Sequence, residues 1–120
     1  MFADTITITI NSVAKVLNRI ADDGYTSEYY LRSATEDFRM KIRHSTYLDK
    51  TRSNRKVDRH NVELVQTVFG VAPNPNVVRK SYVVIENDNQ DGVTDPLNFT
   101  LGFAAFLNSG NVTKLLNWES

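Results

Sequence analysis

Three cationic side chains, Arg39, Lys41 and Arg43, occupy every second position of one stretch and are followed in the same alternation by Ser45. Because successive side chains of a β-strand point to opposite faces, this spacing predicts a strand with one cationic face. The cations would lie about 7 Å apart, since each residue rises roughly 3.3 Å. This spacing is close to twice the repeat of about 3.4 Å along one strand of a nucleic acid. Such a row of cations can therefore contact every second phosphate. The other face would carry Phe38, Met40, Ile42 and His44.

The charges are unevenly distributed along the chain, although the net charge is zero. The segment from Arg39 to His60 carries eight cations against two acids, Asp49 and Asp58, whereas the last third of the chain is acidic. A basic middle favours a nucleic-acid partner; from charge alone, an ordinary solvated surface is an equal alternative. The eight cations are Arg39, Lys41, Arg43, Lys50, Arg52, Arg55, Lys56 and Arg59.

The two histidines, His44 and His60, also have potential chemistry. They have the same parity on two arms that are expected to pair, so they are predicted to be neighbours. Two core-side histidines are favoured over a metal site or catalytic pair, because the clear core-face positions supply no carboxylate or thiol. Cysteine is absent, which excludes disulfides and thiolates. With no glycine-rich phosphate loop and no nucleophile–base–acid set, we expect no catalytic residue, no cofactor and no metal.

Alternating patterns predict the strands that position these side chains. The basic stretch is the first arm of a long hairpin, residues 36–67, with a loop at 49–54 and a return arm at 57–69. Residues 13–21 fit strand spacing and helical spacing equally well. The other predicted strands are residues 4–10, 27–33 and 77–87.

Helical patterning replaces the alternation in the last third. Residues 97–108 are predicted to form a helix capped by Thr94 or Asp95, with Pro96 in its first turn. Gly110 is predicted to end this helix before a short final one. The first helix is apolar on most sides and must be covered on most sides. One sheet covers a single side, so the simplest second cover is another copy of the chain.

These elements predict one α+β domain with helices on one side of an antiparallel sheet. Its parts are an N-terminal hairpin (residues 1–21), the sheet (27–87) and two helices (95–118). No apolar run approaches the roughly 20 residues of a membrane span. The N-terminus lacks the features of a signal peptide, so we expect an unexported protein with no membrane partner.

Five features in this order resemble the coat proteins of single-stranded RNA bacteriophages, the leviviruses. No single motif is diagnostic, but the resemblance extends over essentially the whole chain. The features are Thr-Ile-Thr-Ile followed by Val-Ala-Lys-Val-Leu-Asn-Arg-Ile, the strand Phe-Arg-Met-Lys-Ile-Arg, the strand Arg-His-Asn-Val-Glu-Leu (59–64), the segment Arg-Lys-Ser-Tyr-Val-Val-Ile-Glu (79–86) and two C-terminal helices.

The resemblance implies an intertwined homodimer in which two five-stranded sheets join edge to edge and the helices of each subunit cover the partner's sheet. Such dimers assemble in the bacterial host cytoplasm into the icosahedral shell of the virion, with the sheet facing genomic RNA. The implied dimer interface comprises Leu97, Leu101, Phe103, Phe106, Leu107, Leu115 and Leu116. The loop that surrounds the symmetry axes would be Val71, Ala72, Pro73, Asn74, Pro75 and Asn76.

The resemblance also implies an RNA-binding face, and many family members use it to bind a hairpin and repress replicase translation. Tyr82 stands in a Ser-Tyr-x-x-x-Glu context like that of a family tyrosine that stacks on an unpaired base. Val84 replaces an asparagine of some relatives, and Lys41 replaces a threonine or serine, which favours phosphate contacts over recognition of one hairpin. The implied RNA-binding residues are Arg39, Lys41, Arg43, Ser45, Arg59, Asn61, Glu63, Lys80, Tyr82 and Glu86.

Two other functions are compatible with the sequence. A dimeric cytosolic RNA-binding regulator would use the same basic face without forming a shell. A small enzyme acting through the histidine pair is the least favoured interpretation.

Overall fold

The computed structural model describes all 120 residues and contains one antiparallel sheet of six strands, each paired with the next along the chain. Two helices follow the last strand, so the predicted α+β class is confirmed. The strands are β1 (Thr5–Ile10), β2 (Val13–Asp22), β3 (Thr26–Arg32), β4 (Glu36–Asp49), β5 (Arg55–Val68) and β6 (Val77–Asp88), and the helices are α1 (Thr94–Ala104) and α2 (Ser109–Leu116).

The N-terminal hairpin is continuous with the sheet, which corrects the prediction of a five-stranded sheet beside a separate hairpin. Its turn is made by Asn11 and Ser12, both with positive φ, as a two-residue type I′ turn requires. β2 forms a strand, although helical spacing fitted it equally, because it pairs with β1 on one side and β3 on the other. A bulge between Arg19 and Ala21 shifts its register against β3.

β4 and β5 form the long hairpin that the alternation predicted. Each strand has 14 residues, and they pair without interruption from Glu36 opposite Val68 to Asp49 opposite Arg55. The connection contains one 3-10 turn, Lys50–Arg52. Both strands therefore extend further toward the turn than predicted. This unbroken register determines which side chains share a face.

The register divides the sheet into two faces, because residues opposite each other in an antiparallel pair point to the same side. Phe38 and Ile42 of β4 share a side with Tyr29 of β3 and Val62 of β5. We call this side the apolar face. The side that carries Arg39 and its alternating neighbours is called the polar face.

The core of the chain is small. Its buried cluster on the apolar face consists of Leu17, Tyr29, Phe38 and Ile42, and Val57 is the only other buried residue. Five buried residues in 120 are few for a domain of this size, which normally removes about two-thirds of its unfolded surface from water. Much apolar surface therefore stays exposed in the single chain.

We expect Phe38→Ala to lower the free energy of unfolding by about 3–5 kcal/mol, because the ring is only 1% exposed and its removal leaves a cavity. Phe2→Ala is the matched control, since that ring is 57% exposed and its loss should change stability by less than about 0.5 kcal/mol. Urea denaturation of the two purified variants measures the difference. Equal unfolding midpoints would contradict the assignment of the core.

The two helices differ from their predicted limits. α1 begins at Thr94 without a side-chain cap, so the predicted capping role of Thr94 or Asp95 is wrong. The break falls at residues 105–108 rather than at Gly110, which lies inside α2, because Asn108 caps the second helix with its side chain. No residue of either helix is buried. Neither helix reaches the length and hydropathy that a membrane crossing needs.

The chain is extended and exposes more surface than a compact monomer of its length. Its radius of gyration is 17.3 Å, against about 14 Å for a compact domain of this length. Its accessible surface is 9216 Å², against about 6,600 Å² for a monomeric protein of 13.6 kDa. The excess, about 2,600 Å², is close to the upper limit of about 2,500 Å² that one partner of an obligate dimer loses on association.

Candidate nucleic-acid interface

All of the predicted RNA-binding residues lie on the polar face of β4, β5 and β6. The register places Lys41 between Glu28 of β3 and Glu63 of β5, and places Glu63 opposite Tyr82 of β6. A groove of about 170 Å³ lies on this face beside Lys41 and is bordered by Asp37 and Arg39. The hairpin and its neighbours thus bring together side chains that are up to 47 residues apart in the sequence, from Arg39 to Glu86.

Carboxylates on adjacent strands pair with most of the predicted cations. Arg39 is hydrogen-bonded to Glu28 of β3, which raises the pKa of the Arg39 guanidinium. The Glu63 carboxylate lies 2.8 Å from Arg43 Nη2 and 3.1 Å from Lys80 Nζ. One glutamate therefore holds two of the predicted phosphate-binding cations.

Lys41 differs from its neighbours because it forms no ion pair. It lies between Glu28 and Glu63, but these carboxylates are already paired with other cations. Arg59, by contrast, has its Nε 3.5 Å from Glu86. Among the predicted RNA-binding cations, Lys41 is thus the one that can bind a phosphate without first giving up a carboxylate partner.

The polar face is therefore less basic than the sequence predicted: on β3 to β6 it carries seven cations and six carboxylates. The sequence analysis missed Glu28 and Asp37, because the face of a residue on a neighbouring strand is known only once the register is known. The cations are Arg32, Arg39, Lys41, Arg43, Arg55, Arg59 and Lys80, and the carboxylates are Glu28, Asp37, Asp49, Glu63, Glu86 and Asp88.

Three tyrosines lie on the polar face, and one of them is free. The Tyr30 hydroxyl donates a hydrogen bond to Asp37 at 2.9 Å. The Tyr47 hydroxyl donates to Glu86 at 3.0 Å, and this hydrogen bond raises the pKa of Tyr47. Tyr82 makes no side-chain hydrogen bond and is 63% exposed, so its ring is available for stacking.

Two of the predicted RNA-binding residues, Ser45 and Asn61, differ in the exposure of their polar atoms. Ser45 is exposed at a position opposite Arg59. The Oδ1 atom of Asn61 is buried and has no hydrogen-bond partner. That acceptor atom is therefore not presented to a ligand, whereas the Ser45 hydroxyl is.

Ion pairs also hold the turn end of the long hairpin. The pKa of Asp49 is lowered mainly by a hydrogen bond from Thr51 and, to a smaller extent, by one from Arg52. A hydrogen bond from Arg55 lowers the pKa of Asp88. A carboxylate with a lowered folded pKa stabilises the fold above its unfolded pKa of about 4, and this contribution is lost as the pH falls through the lowered value. We expect this end of the hairpin to loosen only below about pH 4.

The two histidines are neighbours, as predicted. His44 and His60 lie directly opposite each other on the apolar face, with their Nδ1 atoms 2.8 Å apart. They are not core residues, however, because His44 is exposed and His60 is half-buried. The core ends before this part of the hairpin, and this explains why a position on the apolar face does not bury them.

A second surface is apolar and lies between α1 and β6. This cleft has a volume of about 670 Å³ and is bordered by Phe99, Phe103 and Leu107 of the helical region and by Val83 and Ile85 of β6. β6 is an edge strand, so one side of its backbone has no partner in the chain. The residues predicted for the dimer interface are all at least half exposed: Leu97, Leu101, Phe103, Phe106, Leu107, Leu115 and Leu116.

The proline-bearing loop predicted for the symmetry axes is exposed throughout, from Val71 to Asn76. It is fastened at its base, where the Gly70 amide donates to Asn76 Oδ1 at 2.8 Å. A Cβ at Gly70 would collide with the carbonyl oxygen of Asn74, so only glycine fits there. The loop is therefore a defined projection from the sheet.

Comparison with solved structures identifies the fold. The chain matches the bacteriophage EMS014 coat protein with a TM-score of 0.68, over 86% of this chain and 70% of that one, at 16% sequence identity. The fold is that of a phage coat protein. Residues 3–88 match the family described as the coat protein of phage phiCb5, and the chain belongs to that family. No curated protein sequence matches the chain.

The predicted resemblance to phage coat proteins is thereby confirmed. The protein is a structural component of a bacteriophage, and its place is the capsid of the virion. The family match ends at Asp88, the last residue of β6. The match therefore covers the sheet, and the two helices lie outside the matched residues.

Proposed function

We propose that this coat protein forms dimers through α1, α2 and the β6 edge, and that the dimers build the shell of a single-stranded RNA phage with the polar face toward the genome. The observation that carries the proposal is a pair of uncovered surfaces that meet at β6, where Tyr82 also borders the cleft. One displays Lys41 and Tyr82 without intramolecular partners, and the other leaves apolar helices uncovered. Each surface fits a different partner.

The dimer is supported by area and by shape. Two chains together expose about 5,200 Å² more than two monomers of their mass, at the upper end of the roughly 2,000–5,000 Å² that an obligate dimer buries in total. An uncovered helix face beside an unpaired strand edge fits a second copy, because two β6 edges can pair while each helix pair covers the other sheet. This arrangement is the intertwined dimer.

RNA binding is supported by the composition of the polar face. Its cations lie in pairs with carboxylates, so phosphates compete with carboxylates for the same guanidinium and ammonium groups. The resulting affinity for any one phosphate is moderate and suits the packaging of a long RNA over many subunits. Lys41 supplies an unpaired positive charge, and Tyr82 supplies a stacking platform for an unpaired base. The same platform would hold the loop of a replicase-message hairpin in translational repression.

We expect Tyr82→Ala to weaken binding of a single-stranded RNA loop by about 1–3 kcal/mol, because one base–ring stack is lost. Tyr25→Ala is the matched control: this ring is 76% exposed but precedes β3 and lies off the polar face. Filter binding of the dimers to a selected RNA hairpin compares the two variants. Equal affinities of both variants for the hairpin would remove Tyr82 from the site.

A dimeric RNA-binding regulator that never forms a shell is the alternative, since it would need both surfaces as well. The exposed, fastened loop at residues 71–76 favours the shell, because a regulator has no use for a projection between dimers. Electron microscopy of the recombinant protein separates the two functions. The shell requires uniform particles that protect RNA from nuclease, whereas soluble dimers at every salt concentration would support the regulator.

A further inference from the structure

We propose that His44 and His60 form a two-nitrogen binding site for a divalent transition-metal ion, with Cu²⁺ favoured and Ni²⁺ next. The two residues are directly opposite on β4 and β5, and their Nδ1 atoms are 2.8 Å apart. They lie on the apolar face, away from the proposed RNA contacts. The site is therefore independent of the polar face.

The distance between the two nitrogens suits the tetragonal geometry. An imidazole nitrogen binds a first-row metal ion at about 2.0–2.1 Å. Two nitrogens 2.8 Å apart then subtend about 85–90° at the metal, the angle between neighbouring ligands of a square-planar or tetragonal site. Tetrahedral zinc would require a separation of about 3.3 Å. Cu²⁺ and Ni²⁺ prefer the tetragonal geometry, and Cu²⁺ binds most tightly in the divalent series.

The two rings are close enough to chelate one ion after a rotation that turns both Nδ1 lone pairs toward a common point. They meet edge to face, with centroids 5.0 Å apart and planes at 68°, and the two facing nitrogens share one hydrogen bond. Both neutral imidazoles must bind the metal ion through Nδ1, so the ring that donates the shared hydrogen bond gives up its Nδ1 proton to solvent and takes one up on Nε2. The strand pairing holds both backbones in place, so little ordering is needed on binding.

The remaining coordination positions are left to water. In the single chain His44 is exposed and His60 half-buried, so an ion bound before a partner's helices cover this face is accessible from solvent. Asp58, two residues before His60 on the same face, is not a ligand, because its carboxylate accepts hydrogen bonds from Thr46 and Asn89 at 3.1–3.2 Å. No group of three or more potential ligands occurs in the structure. The site is thus bidentate and open.

The test uses untagged, metal-free protein titrated with CuSO₄ and NiCl₂ by calorimetry. The chain has two histidines and no cysteine, so strong binding of these ions reports on this pair. We expect one Cu²⁺ per chain, weaker binding of Ni²⁺, and a copper electron paramagnetic resonance spectrum with two nitrogen ligands. MgCl₂ is the control ion and should not bind, because Mg²⁺ prefers oxygen ligands.

His44→Gln and His60→Gln should each weaken Cu²⁺ binding about 100-fold, because a second tethered ligand contributes roughly that factor. Circular dichroism verifies that each variant is folded. Protection of both histidines of the wild-type protein from diethyl pyrocarbonate by Cu²⁺ gives a second measurement that needs no variant. Unchanged Cu²⁺ affinity in both variants would assign binding to surface carboxylates and overturn the proposal. So would the absence of Cu²⁺ binding to the wild-type protein.

Discussion

We expect Phe103→Asp to abolish dimers and, with them, particles. Phe103 is 68% exposed in the single chain, borders the cleft beside β6 and stacks on Phe106 with ring centroids 6.5 Å apart. In the proposed dimer the ring is buried, and two-fold symmetry repeats the substitution in each subunit. Losing the burial of one such side chain costs about 1.5–3 kcal/mol. Two copies therefore weaken association by about 10²- to 10⁴-fold before any cost of burying the carboxylates.

Size-exclusion chromatography with light scattering measures the outcome. Asn98→Asp is the matched control, because it places the same charge on a polar, exposed residue of the same helix. The control should dimerise like the wild-type protein, whereas Phe103→Asp should elute as a monomer or aggregate through its uncovered apolar surface. Normal dimers from both variants would show that the helix face is not the interface.

Lys41→Ala and Glu63→Gln should change the affinity for single-stranded RNA in opposite directions. Lys41 has no carboxylate partner, so its removal loses a phosphate contact of about 1 kcal/mol, or roughly fivefold in affinity. Glu63 holds Arg43 and Lys80, and its neutralisation releases both for phosphate binding. Glu63→Gln should therefore strengthen RNA binding, although Glu63 was itself predicted to be an RNA contact.

The salt dependence of binding makes this prediction quantitative. Each phosphate contact on a single strand contributes about 0.7 to the slope of log affinity against log salt, so the slope should fall for Lys41→Ala and rise for Glu63→Gln. Lys114→Ala is the matched control, because it removes one positive charge from α2 and not from the polar face. Weaker binding by Glu63→Gln would make this glutamate a direct RNA contact and contradict its role as a counter-ion.

The strands could be predicted because the sequence alternates strictly where one face is covered. Phe38 and Ile42 alternate with Arg39, Lys41 and Arg43, and the structure places the first pair in the core and the cations on the opposite face. The pairing of His44 with His60 followed from the same parity. Local alternation thus determined the long hairpin and its two faces.

The parts that could not be predicted depend on contacts between distant segments. The pairing of β2 with β3 merges the N-terminal hairpin with the sheet, and no local pattern specifies it. The ion pair between Arg39 and Glu28 depends on the register between β3 and β4. A shift of that register by one residue would place Glu28 on the opposite face of the sheet. The helix break was misplaced because Gly110 is a weaker signal than the cap that Asn108 supplies.

The cleft and the helices show how far the distribution of apolar residues along a helix predicts its surroundings. An all-round apolar helix predicts that something covers it, and the single chain leaves Leu101, Phe103 and Leu116 exposed. The excess surface of the chain agrees with that expectation in magnitude. The surface that covers the helices belongs to the assembled particle, so the pattern of one helix does not specify it.

The proposed dimer and RNA-binding face can be tested with a cryo-electron microscopy map of the particles formed by the recombinant protein. We expect dimers in which α1 of one subunit lies over the apolar face of its partner and the two β6 edges pair. We also expect RNA density against the polar face, beside Lys41 and Tyr82. A shell with the polar face turned outward, or with the helices uncovered and no RNA beside Lys41, would contradict the proposed assembly.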